Sequence, residues 1–178
     1  SGFFGAVAGR TVTLSGGTLN IAGHADVDGL FTLSNATLGS ATVDKGTTIQ
    51  AASGGTLNGV TLNGDLDLTT NFGANVTIVN GLTLGGAINL GKADGSSYGY
   101  VLFQGTQTLG GTGSIVYGGS SSNTVFVNGL GVAATLTIGP GITLRGKSGS
   151  LTTYYGNETF INQGTISADV AGGTLTVT

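Results

Sequence analysis

The sequence predicts an all-β chain folded as a right-handed parallel β-helix, a β-solenoid of about seven coils of roughly 23 residues each. Three observations carry this expectation. A short phrase returns at a near-constant interval, apolar residues alternate over short runs, and the composition is rich in glycine and threonine with little charge.

The phrase reads TLNGVTLNG from Thr56 to Gly64 and IVNGLTLGG from Ile78 to Gly86. It returns as FQGTQTLGG from Phe103 to Gly111, FVNG from Phe126 to Gly129, and FINQGTI from Phe160 to Ile166. Each copy is a short apolar or threonine strand, an Asn-Gly or Gln-Gly corner, and a second short strand. Asn35 to Asn58 spans 23 residues, Asn58 to Asn80 spans 22, and Asn80 to Gln104 and Gln104 to Asn128 span 24 each. A hairpin meander has no reason to repeat one corner at a fixed interval, whereas stacked coils do. Coils ~4.8 Å apart would make a rod of ~35 Å. A β-sandwich is the competing all-β architecture, and the even corner spacing argues against it.

Alternation supports the same fold. Val12/Leu14, Leu19/Ile21, Leu66/Leu68, Ile88/Leu90, Leu136/Ile138 and Leu175/Val177 follow the period of two expected for strands with one buried face. Glycine or asparagine interrupts almost every run, and both tolerate the left-handed backbone of a sharp corner. Asparagines at equivalent corners are expected to stack in ladders. Phe103 and Phe126 are expected to share one inward stack.

The 178 residues include 36 glycines, one proline and no cysteine, and threonine is roughly one residue in six. Collagen is excluded by the missing triplet period, and disorder by abundant β-branched residues at 7% charge. The lack of cysteine removes disulfides and cysteine-ligated zinc. Net charge is −3 and the five cations are dispersed, so nothing here suits a nucleic acid. No apolar run approaches the ~20 residues of a membrane helix.

In chain order, residues 1–10 form an apolar segment expected to act as cap, plug or linker. It lacks the basic start of a signal peptide and is read as a mature N-terminus or a cut inside a larger protein. Residues 11–178 are expected to form a single solenoid domain with loop insertions near 91–100, 117–123 and 139–158. At the last of these, Asn128 to Gln163 spans 35 residues, about eleven more than a coil, so either one coil carries an inserted loop or the lengths change there. Thr174, Leu175, Thr176 and Val177 form a final strand without a capping segment, and an uncapped solenoid end exposes apolar rungs. With Phe3 and Phe4 at the other end, they are the candidate assembly residues.

Candidate chemistry is sparse. His24, Asp26 and Asp28 alternate, as do Asp65 and Asp67, which suits either a cation site or a solvated outer face; the solvated face is the expectation. The calcium-binding nonapeptide pattern is approached only at Gly110 to Gly113, with Ile115 where it needs aspartate. With one histidine, one glutamate and no cysteine, no catalytic group, metal or cofactor is expected. Thr-x-Thr pairs at Thr11/Thr13, Thr106/Thr108, Thr135/Thr137 and Thr174/Thr176 raise ice binding as a third reading, against ordinary strand propensity. All five tyrosines, Tyr98, Tyr100, Tyr117, Tyr154 and Tyr155, precede the Phe103, Phe126 and Phe160 strands. With Arg145 and Lys147 they are the candidate ligand-binding residues, for a glycan or a cell-surface protein; the competing role is packing of each loop on its own coil.

The LNGVTLNG and INQGTI phrases, with GGTLTV from Gly172 to Val177, resemble the β-helical repeat regions of large secreted bacterial surface proteins, such as filamentous-haemagglutinin-like adhesins and autotransporter passengers. The resemblance covers nearly the whole chain from about Thr11. It implies an extracellular rod at the cell surface that projects, adheres or assembles, and it brings no site residues with it. The leading expectation is therefore a non-catalytic structural solenoid that stacks or continues end to end. A carbohydrate-binding or carbohydrate-active β-helix is the alternative.

Overall fold

A computed structural model describes residues 3–6 and 9–178, and the side chains of Phe3, Ala6 and Ala52 lie outside the described part. The described residues form strands and turns without helix, in two sheets of 14 and 8 strands. The recorded strand pairs are parallel, the pattern of a β-solenoid.

Each coil visits three faces in turn. Face 1 is the eight-stranded sheet: β2 (Thr11–Ser15), β5 (Leu30–Ser34), β8 (Thr48–Ser53), β10 (Asp65–Leu68), β12 (Ala87–Leu90), β15 (Ser114–Tyr117), β18 (Thr143–Gly146) and β21 (Thr165–Ser167). Face 2 runs through β3 (Thr18–Asn20), β6 (Thr37–Gly39), the first parts of β9 (Thr56–Leu62) and β11 (Ala74–Leu84), β13 (Gly99–Gln104), β16 (Thr124–Asn128), β19 (Ser148–Thr153) and β22 (Thr174–Val177). Face 3 holds β1 (Phe3–Ala6), β4 (His24–Val27), β7 (Thr42–Val43), the second parts of β9 and β11, β14 (Gln107–Gly111), β17 (Thr135–Ile138) and β20 (Thr159–Asn162). Faces 2 and 3 form one sheet because β9 and β11 run continuously through both.

The core follows from alternation plus register. On face 1, Val12, Phe31, Ile49, Leu66, Ile88, Ile115, Leu144 and Ile166 stand one above another through all eight coils. On face 2, Leu19, Leu38, Leu57, Ile78, Phe103 and Val127 do the same. Each rung except those near the ends is fully buried, and Phe31 and Phe103 are the largest side chains in the stack. Phe103 pairs with Val127, so Phe126 stands opposite Leu102 and faces outward. The expected Phe103–Phe126 stack is corrected by this one-residue offset, which moves a side chain to the other face of a strand.

There are eight coils rather than about seven, and they are unequal. Face 1 register partners are 19, 18 and 17 residues apart in the first coils, then 22, 27, 29 and 22. Strands and corners both absorb the difference: β9 has 7 residues and β11 has 11. Residues 91–98 and 118–123 are loops between faces 1 and 2, and residues 129–134 form another between faces 2 and 3.

The long interval after Asn128 has a different cause from the expected insertion. Ile138 pairs with Asn162, so Gln163 follows face 3, whereas Asn128 closes face 2. The phrase has moved to another corner. Residues 139–158 accordingly carry β18 and β19 rather than one inserted loop.

The Asn-Gly phrase is also a bend more than a corner. Within β11, Asn80 and Gly81 have φ of 58° and 84°, and register shifts between Val79 and Leu82. A bulge of this kind turns a continuous strand from face 2 to face 3. Asn80 Nδ2 donates to Asn58 Oδ1 at 2.7 Å, which is the stacked pair that the repeat implies. Gln107 continues the ladder from inside. Its Oε1 accepts from Gly81 N–H at 3.0 Å, and its Nε2 donates to the Ile78 and Gln104 carbonyls at 3.0 and 2.8 Å. The amide thus gives partners to three backbone groups around the bend.

Candidate functional site

Three surfaces carry the residues of interest. The first is an aromatic ridge on face 2. Strand alternation turns Tyr100, Leu102 and Phe126 outward while Val101, Phe103 and Val127 fill the core. Ring centroids lie 6.0 Å apart for Tyr100–Phe126, 5.6 Å for Phe126–Tyr154 and 5.0 Å for Tyr154–Tyr155, all edge to face. This is the favourable geometry for aromatic quadrupoles. Tyr154 and Tyr155 remain more than half exposed. Burial, then the neighbouring Tyr98 and Tyr154, pushes the Tyr100 hydroxyl above its ordinary range.

Glu158 fixes the end of this ridge. Its carboxylate accepts from Gly129 N–H at 3.0 Å and from Tyr155 N–H at 3.1 Å, joining two loops of successive coils. Desolvation acts to raise its pKa, but these backbone donors outweigh it and hold the carboxyl below the usual range. Sequence reasoning passed over Glu158 because a lone glutamate carries no pattern. Phe72 was missed for the same reason; it is strongly exposed and packs edge-on against Tyr98 at 4.7 Å, at the other edge of face 2.

The second surface is a groove on face 1, with a volume of about 680 Å³. Its floor is the outward row Asp67, Asn89, Val116 and Arg145, one residue per coil in direct register. Arg145 Nη1 donates to Asp169 at 3.2 Å. Asp67 accepts from Thr69 N–H at 2.8 Å and from Thr70 and Gln50 side chains at 2.9 and 3.4 Å. Burial would raise its pKa, but these bonds lower it on balance.

The seven candidate ligand-binding residues therefore divide. Tyr100, Tyr154 and Tyr155 meet on the ridge, Tyr98 pairs with Phe72, and Arg145 and Lys147 line the groove. Tyr117 lies between them, inside the rod. It is 3% exposed, its hydroxyl donates to the Ser150 carbonyl at 3.2 Å, and burial pushes its pKa well above the ordinary tyrosine value.

Other candidates are dispersed. His24 Nδ1 hydrogen-bonds Asp44 at 2.9 Å, while Asp26 and Asp28 are exposed beside it. The Thr-x-Thr pairs fall on all three faces, and of these only Thr108 and Thr137 stack. Stacks of three or more threonines come one per strand instead: Thr18, Thr37, Thr56 and Thr77 on face 2, and Thr42, Thr61 and Thr83 on face 3.

The third surface is the pair of solenoid ends. Among the described residues, no strand pairs beyond β1, β2 and β3 at one end, or beyond β20, β21 and β22 at the other. Each end presents three parallel edge strands and partly buried apolar rungs: Phe4, Val12 and Leu19, against Phe160, Ile166 and Leu175. Val177 is 53% exposed, with Thr174 and Thr176 beside it. Phe4 packs on Phe31 of β5, a strand of a later coil, at 5.5 Å, while the side chain of Phe3 is outside the described residues. No family model, curated protein or solved structure matches the chain.

Proposed function

We propose that this chain is a non-catalytic structural β-solenoid of an extracellular bacterial surface adhesin or filament, which stacks or continues end to end. One observation carries the reading: among the described residues three parallel strands at each end have no recorded partner, and the pattern at β20, β21 and β22 is the one that β1, β2 and β3, or a further coil of the same kind, can continue. Every strand in a face points the same way, so a copy placed on the end would extend each ladder without reversal. Such a head-to-tail contact does not close and builds an open filament. It would also cover Ile166 and Leu175, which are partly buried and have no coil above them among the described residues. The placement at a bacterial surface rests on the resemblance of the repeat phrases.

The test is light scattering over a concentration series, with electron microscopy of the concentrated protein. Growing mass and fibres about one rod wide are expected. Replacing Ile166 and Leu175 together by lysine should leave a folded monomer without fibres. A wild-type protein that stays monomeric at every concentration, or fibres that survive the double substitution, would reject end-to-end stacking. Labelling of intact producing cells with an antibody against the chain tests the location, and a reducing-sugar assay on polysaccharides tests the absence of catalysis.

A further inference from the structure

We propose that the face 1 groove binds a linear, neutral glycan laid along the rod axis. The inference does not depend on end-to-end stacking. The floor row runs from Asp67 through Asn89 and Val116 to Arg145, one side chain per coil. Successive side chains are ~4.8 Å apart, a step comparable to one sugar unit of an extended chain. A polymer with hydroxyls on every unit would meet a new polar group at each step.

The side-chain types fit that polymer. Carboxylate, amide and guanidinium are planar groups that can hold two neighbouring hydroxyls at once. Arg145 spends one donor on Asp169 and keeps others for the groove. Val116 supplies an apolar step against which the C–H face of a sugar ring can lie. Asp65, Asp67 and Asp169 outnumber Arg145 and Lys147 in the lining, which disfavours polyanions, nucleic acid included. A peptide strand is disfavoured because the face 1 backbone is paired coil to coil and offers no edge along the groove.

The loops that bring Gly91, Ala93 and Gly118 to the groove are held by buried side chains behind the lining. Ser97 Oγ accepts from Lys92 N–H at 3.1 Å and donates to the Thr69 carbonyl at 2.7 Å. Buried Asn123 accepts from Gly99 N–H at 3.1 Å and donates to the Ser148 carbonyl at 3.2 Å. Loops fixed in this way reduce the ordering cost of binding.

The experiment is electrophoresis through gels holding soluble xyloglucan, hydroxyethylcellulose, galactomannan or polygalacturonate, followed by calorimetry with linear β-1,4-linked glucose or mannose oligomers. At least one neutral polymer should retard the protein, with affinity rising with oligomer length up to about the number of floor coils. Asn89→Ala and Val116→Trp should each weaken binding by about tenfold or more. The pair Tyr154→Ala and Tyr155→Ala should leave it unchanged. Asn89→Ala carries the test alone if Val116→Trp lowers the melting temperature. No retardation by any neutral polymer, preference for polygalacturonate, or binding lost with Tyr154 and Tyr155 but kept in Asn89→Ala would overturn the proposal. Fibre formation by Val116→Trp reads the stacking proposal separately.

Discussion

Tyr117 shows how one residue type divides between surface and core. Five tyrosines share a sequence setting, yet the last position of β15 points inward and places this ring under β19. Gly149 gives it room, since a Cβ there would collide with the ring. The sequence could not separate Tyr117 from Tyr154, because inward direction depends on strand phase, and phase shifts with each unequal corner. Its hydroxyl contributes one buried bond, so Tyr117→Phe is expected to cost about 1 kcal/mol at neutral pH. The folded pKa is raised above the unfolded value of about 10, so the stability is complete below that pH and lost above it. The loss should approach ~1.4 kcal/mol per pH unit while the folded tyrosine stays protonated and the unfolded one ionises. Urea unfolding at neutral and strongly alkaline pH tests this: the Tyr117→Phe curve should be weaker at pH 7 and fall less above pH 10.

At the scale of elements, the repeat was legible where its phase held. Asn58 and Asn80 do stack, and Gln104 does pair with Asn128. Asn35 and Gln163 were counted with them but belong to other corners, because asparagine and glutamine suit any tight turn. Many glycines have a second role that composition hides. At the corner between faces 3 and 1, a Cβ on Gly86 would run into the Gly64 carbonyl, and one on Gly64 into the Thr47 carbonyl. Coils stacked at strand spacing leave no room there for a methyl group. Gly110 is different: nothing lies near its Cβ position and its φ is ordinary. Gly86→Ala is expected to cost about 1–3 kcal/mol, the usual penalty for overpacking. Gly110→Ala should stay within about 0.5 kcal/mol of wild type. Thermal unfolding of the two variants side by side checks the distinction.

For the whole molecule, alternation and repetition were enough to give a solenoid, because every inward rung obeys the same period of two. Coil number and face assignment were not, since they depend on register through corners of unlike length. The groove was the least legible feature. Asp67, Asn89, Val116 and Arg145 are 22, 27 and 29 residues apart in sequence, and only the pairing of β10, β12, β15 and β18 aligns them. The ridge was half visible, because the tyrosines stood out but the outward turn of Phe126 did not.

The unequal coils have a mechanical consequence. The first and last strands lie at opposite ends of the stack, so tension applied through them acts along the coil-to-coil hydrogen bonds and peels coils off in sequence. Each release should free one coil of chain, about 60 Å for 17 residues and about 100 Å for 29. A single-molecule extension trace should thus show rips of unequal length, short for the early coils and long for the later ones. One rip for the whole chain would mean that the coils yield together. The corner lengths that obscured the repeat would then serve as a ruler for which coil had opened.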